Sequence, residues 1–255
     1  LGDLNGDGLT DMYIVNADHQ DWLFLNHGWA ENKPMVEEHR VPIGSWANNT
    51  MFGVPEDVGD TYVADAGDID GDGDIDIIMG YLDATWRPAV WVNDGEGNFF
   101  EETGARMPDA NCYTHDLKLN DINQDGDLDV LMACSAGMRQ PVNDGTGYFT
   151  DASPKNIPEW NSGNRLAVGL ADIDGDGDDD WLVGSNGNTG WLTLLNGGSV
   201  YNDDAVYLVQ RNDLFNPESH FSYGYNHSQK ALVLEDLNAD KTIDLYIAWS
   251  GQNTL

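Results

Sequence analysis

Nine residues, recurring five times along the chain, limit what it can fold into. In Asp68-Ile69-Asp70-Gly71-Asp72-Gly73-Asp74-Ile75-Asp76, carboxylates stand at every second position, glycines permit a sharp turn, and the apolar run Ile77-Ile78-Met79 follows at once. Side-chain oxygens at that spacing can converge on one point, and hard oxygen donors of this kind suit Ca²⁺. The pattern returns at residues 3–11, 121–129 and 172–180, and in a degraded form at 236–244. Loop starts at 3, 68, 121, 172 and 236 give a period of 51 to 65 residues. Such self-similarity marks a repeat architecture.

Each loop is followed by a short apolar run: Met12-Tyr13-Ile14-Val15, Ile77-Ile78-Met79, Val130-Leu131-Met132-Ala133, Trp181-Leu182-Val183 and Leu245-Tyr246-Ile247-Ala248. Continuous apolar runs of this length predict strands buried on both faces. Next comes an Asn-Gly type hairpin, clearest in Val90-Trp91-Val92-Asn93-Asp94-Gly95-Glu96-Gly97-Asn98-Phe99-Phe100 and in Val142-Asn143-Asp144-Gly145-Thr146-Gly147-Tyr148-Phe149. A looser version is Leu194-Leu195-Asn196-Gly197-Gly198-Ser199-Val200-Tyr201. Asn, Asp and Gly tolerate positive φ, which tight hairpins require. A further strand leads into the next loop, as in Leu166-Ala167-Val168-Gly169-Leu170-Ala171, and no segment shows a sustained helical period. One repeat is therefore expected to be four antiparallel strands. Radial repetition of such sheets is a β-propeller, so residues 1–255 are read as an all-β propeller domain or an excerpt of one. The alternative is a row of calcium-stapled hairpins, which would leave these strands too apolar for their surroundings.

Within each loop, positions one, three, five and nine are expected to supply side-chain oxygens, and position seven its backbone carbonyl. The ligand sets are Asp3, Asn5, Asp7, Leu9 and Asp11; Asp68, Asp70, Asp72, Asp74 and Asp76; Asp121, Asn123, Asp125, Asp127 and Asp129; Asp172, Asp174, Asp176, Asp178 and Asp180; and Asp236, Asn238, Asp240, Thr242 and Asp244. An EF-hand would need a carboxylate at position twelve, where this chain has Ile14, Met79, Met132, Val183 and Ile247. A helical calcium sensor is thereby excluded. Four to five structural ions are expected, set against acidic turns solvated without metal. In the fifth loop Lys241 replaces the turn glycine and brings a positive charge, so that site is expected to be empty or weaker.

Charge follows from the loops. The formal net charge is −34, and twenty-one of the 45 acidic residues are aspartates inside the five loops. Packed so closely, they repel one another unless a cation intervenes. With only 11 Lys and Arg, the chain is a poor partner for nucleic acid. No run of eighteen apolar residues exists to span a membrane, and no basic and apolar leader is visible at Leu1. Cys112 and Cys134 flank the third loop, where a disulfide and two buried thiols are both open.

The two long spacings hold insertions, residues 28–60 and 199–229, and excursions from a rigid scaffold are where function concentrates. Trp29, Trp46, Phe221, Tyr223 and Tyr225 offer aromatic anchors, with His220 and His227 as hydrogen-bonding partners. Trp86, Arg87 and Trp91 offer a stacking surface for a sugar or a partner side chain, although tryptophans in such a fold also serve as core between sheets. An acid–base set for a polysaccharide lyase would come from His220, Tyr223, Tyr225 and His227 with His115-Asp116. There is no Ser-His-Asp or paired-Glu arrangement, and an enzyme is not expected.

The loops together with the Asn-x-Gly-x-Gly-x-Phe/Tyr hairpins resemble FG-GAP/VCBS repeats, the blades of the integrin α-subunit propeller and of many secreted proteins. Asp11-Met12-Tyr13-Ile14-Val15-Asn16 and Asp244-Leu245-Tyr246-Ile247-Ala248 are similar to the cartilage-acidic-protein branch. The resemblance implies calcium-stabilised blades, more of them in the family than the five seen here, and a secreted or cell-surface setting. It also implies adhesion to a protein or glycan partner, with a glycan-binding lectin or an accessory domain of a polysaccharide-degrading enzyme as alternatives.

Overall fold

The apolar runs behind the acidic loops become the most deeply buried strands. The computed structural model describes residues 1–15, 21–26, 40–42, 61–82, 87–109, 111–135, 137–152, 165–185, 192–196, 208–210, 228–236, 239 and 243–250. Repeat 2 is an antiparallel sheet ordered β4 (Thr61–Gly67), β5 (Asp76–Tyr81), β6 (Ala89–Asn93) and β7 (Phe99–Glu101). The second loop joins β4 to β5. Every residue of β5 is buried. Ile77, Met79 and Tyr81 pack with Leu4, Leu23, Trp91 and Phe99 on one side. Ile78 packs with Val90, Leu117, Val130 and Met132 on the other. A strand sandwiched between neighbouring sheets has no polar face, which explains the unbroken apolar run.

The other repeats vary this sheet. Repeat 4 is also four-stranded, with β13 (Arg165–Ala171), β14 (Asp180–Ser185), β15 (Leu192–Asn196) and β16 (Leu208–Gln210) in order. In repeat 3, β8 (Thr114–Asn120), β9 (Asp129–Cys134) and β10 (Gly137–Arg139) form one sheet, while β11 (Pro141–Asn143) pairs with β12 (Phe149–Asp151) in another. The expected single third strand is thus divided at the buried Gln140. The hairpin expected around Asn196-Gly197 also differs, because Asn196 pairs with Leu208 and not with the residues just after the turn. Repeats 2 and 3 place glycines two and four residues after the hairpin Asn. Repeat 4 has Val200 where the second would stand.

Among the described residues, repeat 1 shows β1 (Met12–Ile14), β2 (Trp22–Phe24) and β3 (Arg40–Pro42), with an isolated Gly2–Asp11 bridge in place of a leading strand. Met12 and Ile14 are therefore exposed, unlike their counterparts in β5 and β9. Repeat 5 shows the pair β17 (Ser228–Glu235) and β18 (Asp244–Ser250). The one helix among the described residues is a single turn, α1 (Thr103–Arg106).

Leading strands pack side by side in repeat order, β4 on β8, β8 on β13 and β13 on β17. Two buried or half-buried carboxylates stitch them: Leu119 N–H donates to Asp65 Oδ2 and Val168 N–H to Asp116 Oδ2, both at 2.9 Å. All four of these strands slip register once near their start, so that Tyr62, His115, Leu166 and Lys230 each stand in a bulge.

Cys112 and Cys134 form a disulfide with Cα atoms 5.8 Å apart, resolving the alternative left open above. Their separation of 22 residues corresponds to a contribution of about 3 kcal/mol through the unfolded chain. Replacing both with Ser is expected to lower urea-unfolding stability by about that amount. An unchanged midpoint would show that packing in this cluster carries the segment unaided.

Candidate metal centres

Four loops fold on themselves through their own carboxylates. At position one, Asp3 accepts the N–H groups of Asp7 and Gly8 at 3.1 and 2.7 Å. Asp68 accepts Gly71 and Gly73, Asp121 accepts Asp125 and Gly126, and Asp172 accepts Gly175 and Gly177, all between 2.7 and 3.1 Å. Position five repeats the device, with Asp7, Asp72, Asp125 and Asp176 each accepting the N–H two residues on. Asn5, Asn123 and Asp174 at position three do likewise. Such Asx turns bend the backbone around its side-chain oxygens. The glycine at position six has φ from 83° to 98° in loops 1 to 4. Only glycine adopts that without strain.

Position two anchors the loop to the core. Leu4, Ile69 and Ile122 are almost fully buried and belong to the three inter-repeat clusters. Position nine closes it. Asp76 Oδ2 accepts Ile69 N–H at 3.1 Å and its Oδ1 accepts Asn93 N–H at 2.8 Å. Asp129 does the same with Ile122 and Asn143, and Asp11 with Leu4 and Asn26. Asp180 accepts Ile173 and Asp174. These four aspartates are buried.

The donor sets fit a hard divalent cation. Carboxylate oxygens of Asp68, Asp70 and Asp76 lie within 4.8 Å of one another, as do those of Asp172, Asp174 and Asp176. Asp70 Oδ1 and Asp178 Oδ1 are buried without a hydrogen-bond partner. A buried, unpaired carboxylate oxygen is costly, and a cation among these groups relieves the cost. Burial, then the charge of Asp72, raises the proton affinity of Asp70. Asp178 is pushed up to about 6 by burial and then by Asp176. In loops 2 and 3 the side chains of position seven turn toward the hairpin glycines Gly95 and Gly145, which leaves their carbonyls as the ligand expected there. Loops 1 and 3 offer Asn5 and Asn123 at position three as neutral oxygen donors.

Burial drives Asp76 and Asp129 each up to about 7, although their backbone hydrogen bonds oppose the shift. The unfolded chain releases these protons near pH 4. Between about pH 4 and pH 7 the calcium-free fold therefore holds more protons than the unfolded chain, and it loses stability as pH rises through 7. Calcium needs the ionised carboxylates. The gain in melting temperature on adding calcium is expected to be larger near pH 8 than near pH 5. A gain independent of pH would remove Asp76 and Asp129 from the ligand set.

Of the fifth loop, Asp236, Ala239, Ile243 and Asp244 are described, and Ala239 has φ of 62°. Asn238, Asp240, Lys241 and Thr242 lie outside the described residues, as do Trp29, Trp46, Trp86, His220, Phe221, Tyr223, Tyr225 and His227. Arg87 is engaged within the chain, donating to Met107 O at 2.9 Å and pairing with Asp109 at 3.4 Å. Trp91 is 1% exposed and sits in the core. It is no stacking surface, because repeat 1 packs on it. His115 hydrogen-bonds Ser135 Oγ at 2.7 Å and meets the Tyr62 ring edge-on, while Asp116 accepts two backbone N–H groups. Neighbours in sequence, His115 and Asp116 serve different contacts.

Two sets of residues escaped the sequence reading. Arg106 donates to Glu102 and to Thr146 O at 2.6 and 2.7 Å, lies over the Tyr148 ring, and reaches Asp70 Oδ2 at 3.4 Å. It thereby steadies the carboxylate of Asp70, an expected ligand. The hairpin asparagines Asn93 and Asn143, read only as turn formers, are 3% exposed and reach two loops each. Their twofold recurrence before Asp-Gly-x-Gly was the available signal.

The described residues contain no helix long and apolar enough to cross a membrane. No curated protein matches the chain. Among solved structures it is similar to one titled as the structural basis of specific recognition of non-reducing terminal N-acetylglucosamine by an Agrocybe aegerita lectin. Identity is 21% and the TM-score 0.47, over 84% of this chain and 52% of that one. The chain thus spans about half the length of that structure. The model of the FG-GAP-like repeat matches three times, over residues 3–79, 68–132 and 121–183. Each match opens on an acidic loop and closes on the strand after the next, so the chain belongs to the FG-GAP-like repeat family.

Proposed function

We propose that the chain is a calcium-stabilised β-propeller that serves as an extracellular binding or adhesion module for a protein or glycan partner. The observation that carries the calcium assignment is the convergence of Asp68, Asp70 and Asp76 around a buried oxygen with no partner. Structural ions are the reading it supports, since each loop pins a strand connection to the core and spends its oxygens there. The propeller is supported by leading strands that adjoin one another in repeat order. An extracellular setting is supported by the Cys112–Cys134 disulfide, which persists in oxidising compartments.

Partner recognition is assigned to the stretches 28–60 and 199–229 apart from the strands β3, β16 and β17 that run into them, where aromatic residues are available as anchors. The test probes a glycan array and a panel of cell-surface proteins with calcium and with EDTA, using wild type and a Tyr223→Ala/Tyr225→Ala variant. Calcium-dependent binding, lost in the variant at unchanged melting temperature, is the expected result. Binding to nothing by a calcium-loaded, folded chain would leave a purely structural module. Cleavage of an acidic polysaccharide would instead make it an enzyme.

A further inference from the structure

In repeats 2 and 3 the hairpin is a wedge between two acidic loops. Asn93 Nδ2 donates one hydrogen to Leu4 O in loop 1 at 2.9 Å and the other to Ile75 O in loop 2 at 3.0 Å. One repeat later, Asn143 Nδ2 donates to Ile69 O in loop 2 at 2.7 Å and to Leu128 O in loop 3 at 3.1 Å. The backbone N–H of each asparagine reaches the position-nine carboxylate of its own loop. Each side-chain oxygen caps the hairpin turn by accepting Gly95 or Gly145 N–H. The glycines complete the fit. A side chain on Gly95 or Gly145 would strike the carboxylate of Asp74 or Asp127, and Gly97 and Gly147 lie against Asn5 and Asp70 of the preceding loop.

From this we infer that Asn93 and Asn143 are positioning residues that couple calcium binding across loops 1, 2 and 3, so that the sites fill cooperatively. The inference rests on the reading that these loops hold calcium. An ion fixes the loop backbone, including the carbonyls at positions two and eight. Those are the carbonyls that the shared amide holds. Ordering one loop therefore orders the hairpin, and the adjacent loop closes at a smaller entropic cost. Loop 2, held by both amides, is the centre of the chain of contacts. Asn26 makes the own-repeat half of the pattern, donating to Thr10 O in loop 1 at 3.1 Å.

The test removes loop 2 with Asp72→Ala and titrates the remaining sites with calcium alone, by calorimetry. In the otherwise wild-type chain the ions that still bind are expected to weaken about tenfold, with a shallower Hill slope. In an Asn93→Ala/Asn143→Ala background, the same Asp72→Ala change is expected to leave them where that background has them. A purely structural role for the amides would lower melting temperature without removing this dependence between sites. Should the double variant not fold, Asn93→Ala alone severs loop 1 from loop 2 and is expected to halve the effect. Remaining sites indifferent to the loss of loop 2 in the wild-type chain would overturn the coupling. Dependence undiminished without the amides would overturn their role. A wild-type chain that binds no calcium would overturn the calcium reading itself, a distinct result.

Discussion

Stripping calcium is expected to lower the unfolding midpoint by about 20 °C or more. An ion present at a hundred times its dissociation constant stabilises the native state by about 2.7 kcal/mol, so four such loops supply roughly 11 kcal/mol. For a chain of this size, 1 kcal/mol moves the midpoint by about 2–4 °C. Among the described loop carboxylates, Asp70 has a cationic side chain beside it, Arg106 at 3.4 Å. Asp172 to Asp180 alone contains six aspartates, and Asp178 has a buried oxygen with no hydrogen bond. Calorimetric scans with excess calcium and with EDTA decide the matter. Coincident midpoints would mean that the Asx turns alone hold the loops.

The second large effect separates holding an ion from holding the fold. Asp76→Ala is expected to cost about 4 kcal/mol even in EDTA, because Ile69 and Asn93 N–H groups lose their acceptor inside the core and each buried unpaired donor costs roughly 1–3 kcal/mol. Asp72 is exposed and accepts one local N–H, from Asp74. Asp72→Ala is expected to cost under about 1 kcal/mol in EDTA while abolishing the calcium gain at loop 2. Urea unfolding of both variants, with and without calcium, provides four numbers. If the two variants behaved alike in EDTA, position nine would be a ligand and nothing more.

What could be read from the chain was whatever lies close together in it. Ligand spacing, the strand behind each loop and the hairpins of repeats 2 and 3 are each contained in a dozen residues. Local chemistry dictates them. The division of repeat 3 at Gln140 and the pairing of Asn196 with Leu208 depend on what a neighbouring sheet or a distant strand supplies. The same holds for the asparagines: Asn93 and Leu4 are 89 residues apart, and no local pattern announces their bond. Arg106 was hidden for another reason. Its role is set by a one-turn helix too short to leave a periodic trace. Position nine was visible as a candidate ligand but not as a clamp, since an alternating row of carboxylates does not say which of them faces inward.

The bulges at the start of the leading strands carry a different implication, one for protein engineering. Tyr62, His115, Leu166 and Lys230 occupy one geometric slot in four successive sheets, at the strand end away from the acidic loop. An extra residue in a bulge is left out of the ladder, so its identity is released from cross-strand pairing. Tyr, His, Leu and Lys stand there in turn, and the ladder resumes beyond each of them, one residue out of step. Such a slot is a natural place to diversify. A library randomised at these four positions would vary one end of the leading strands while leaving the acidic loops, the asparagine wedges and the buried strands to keep the chain folded.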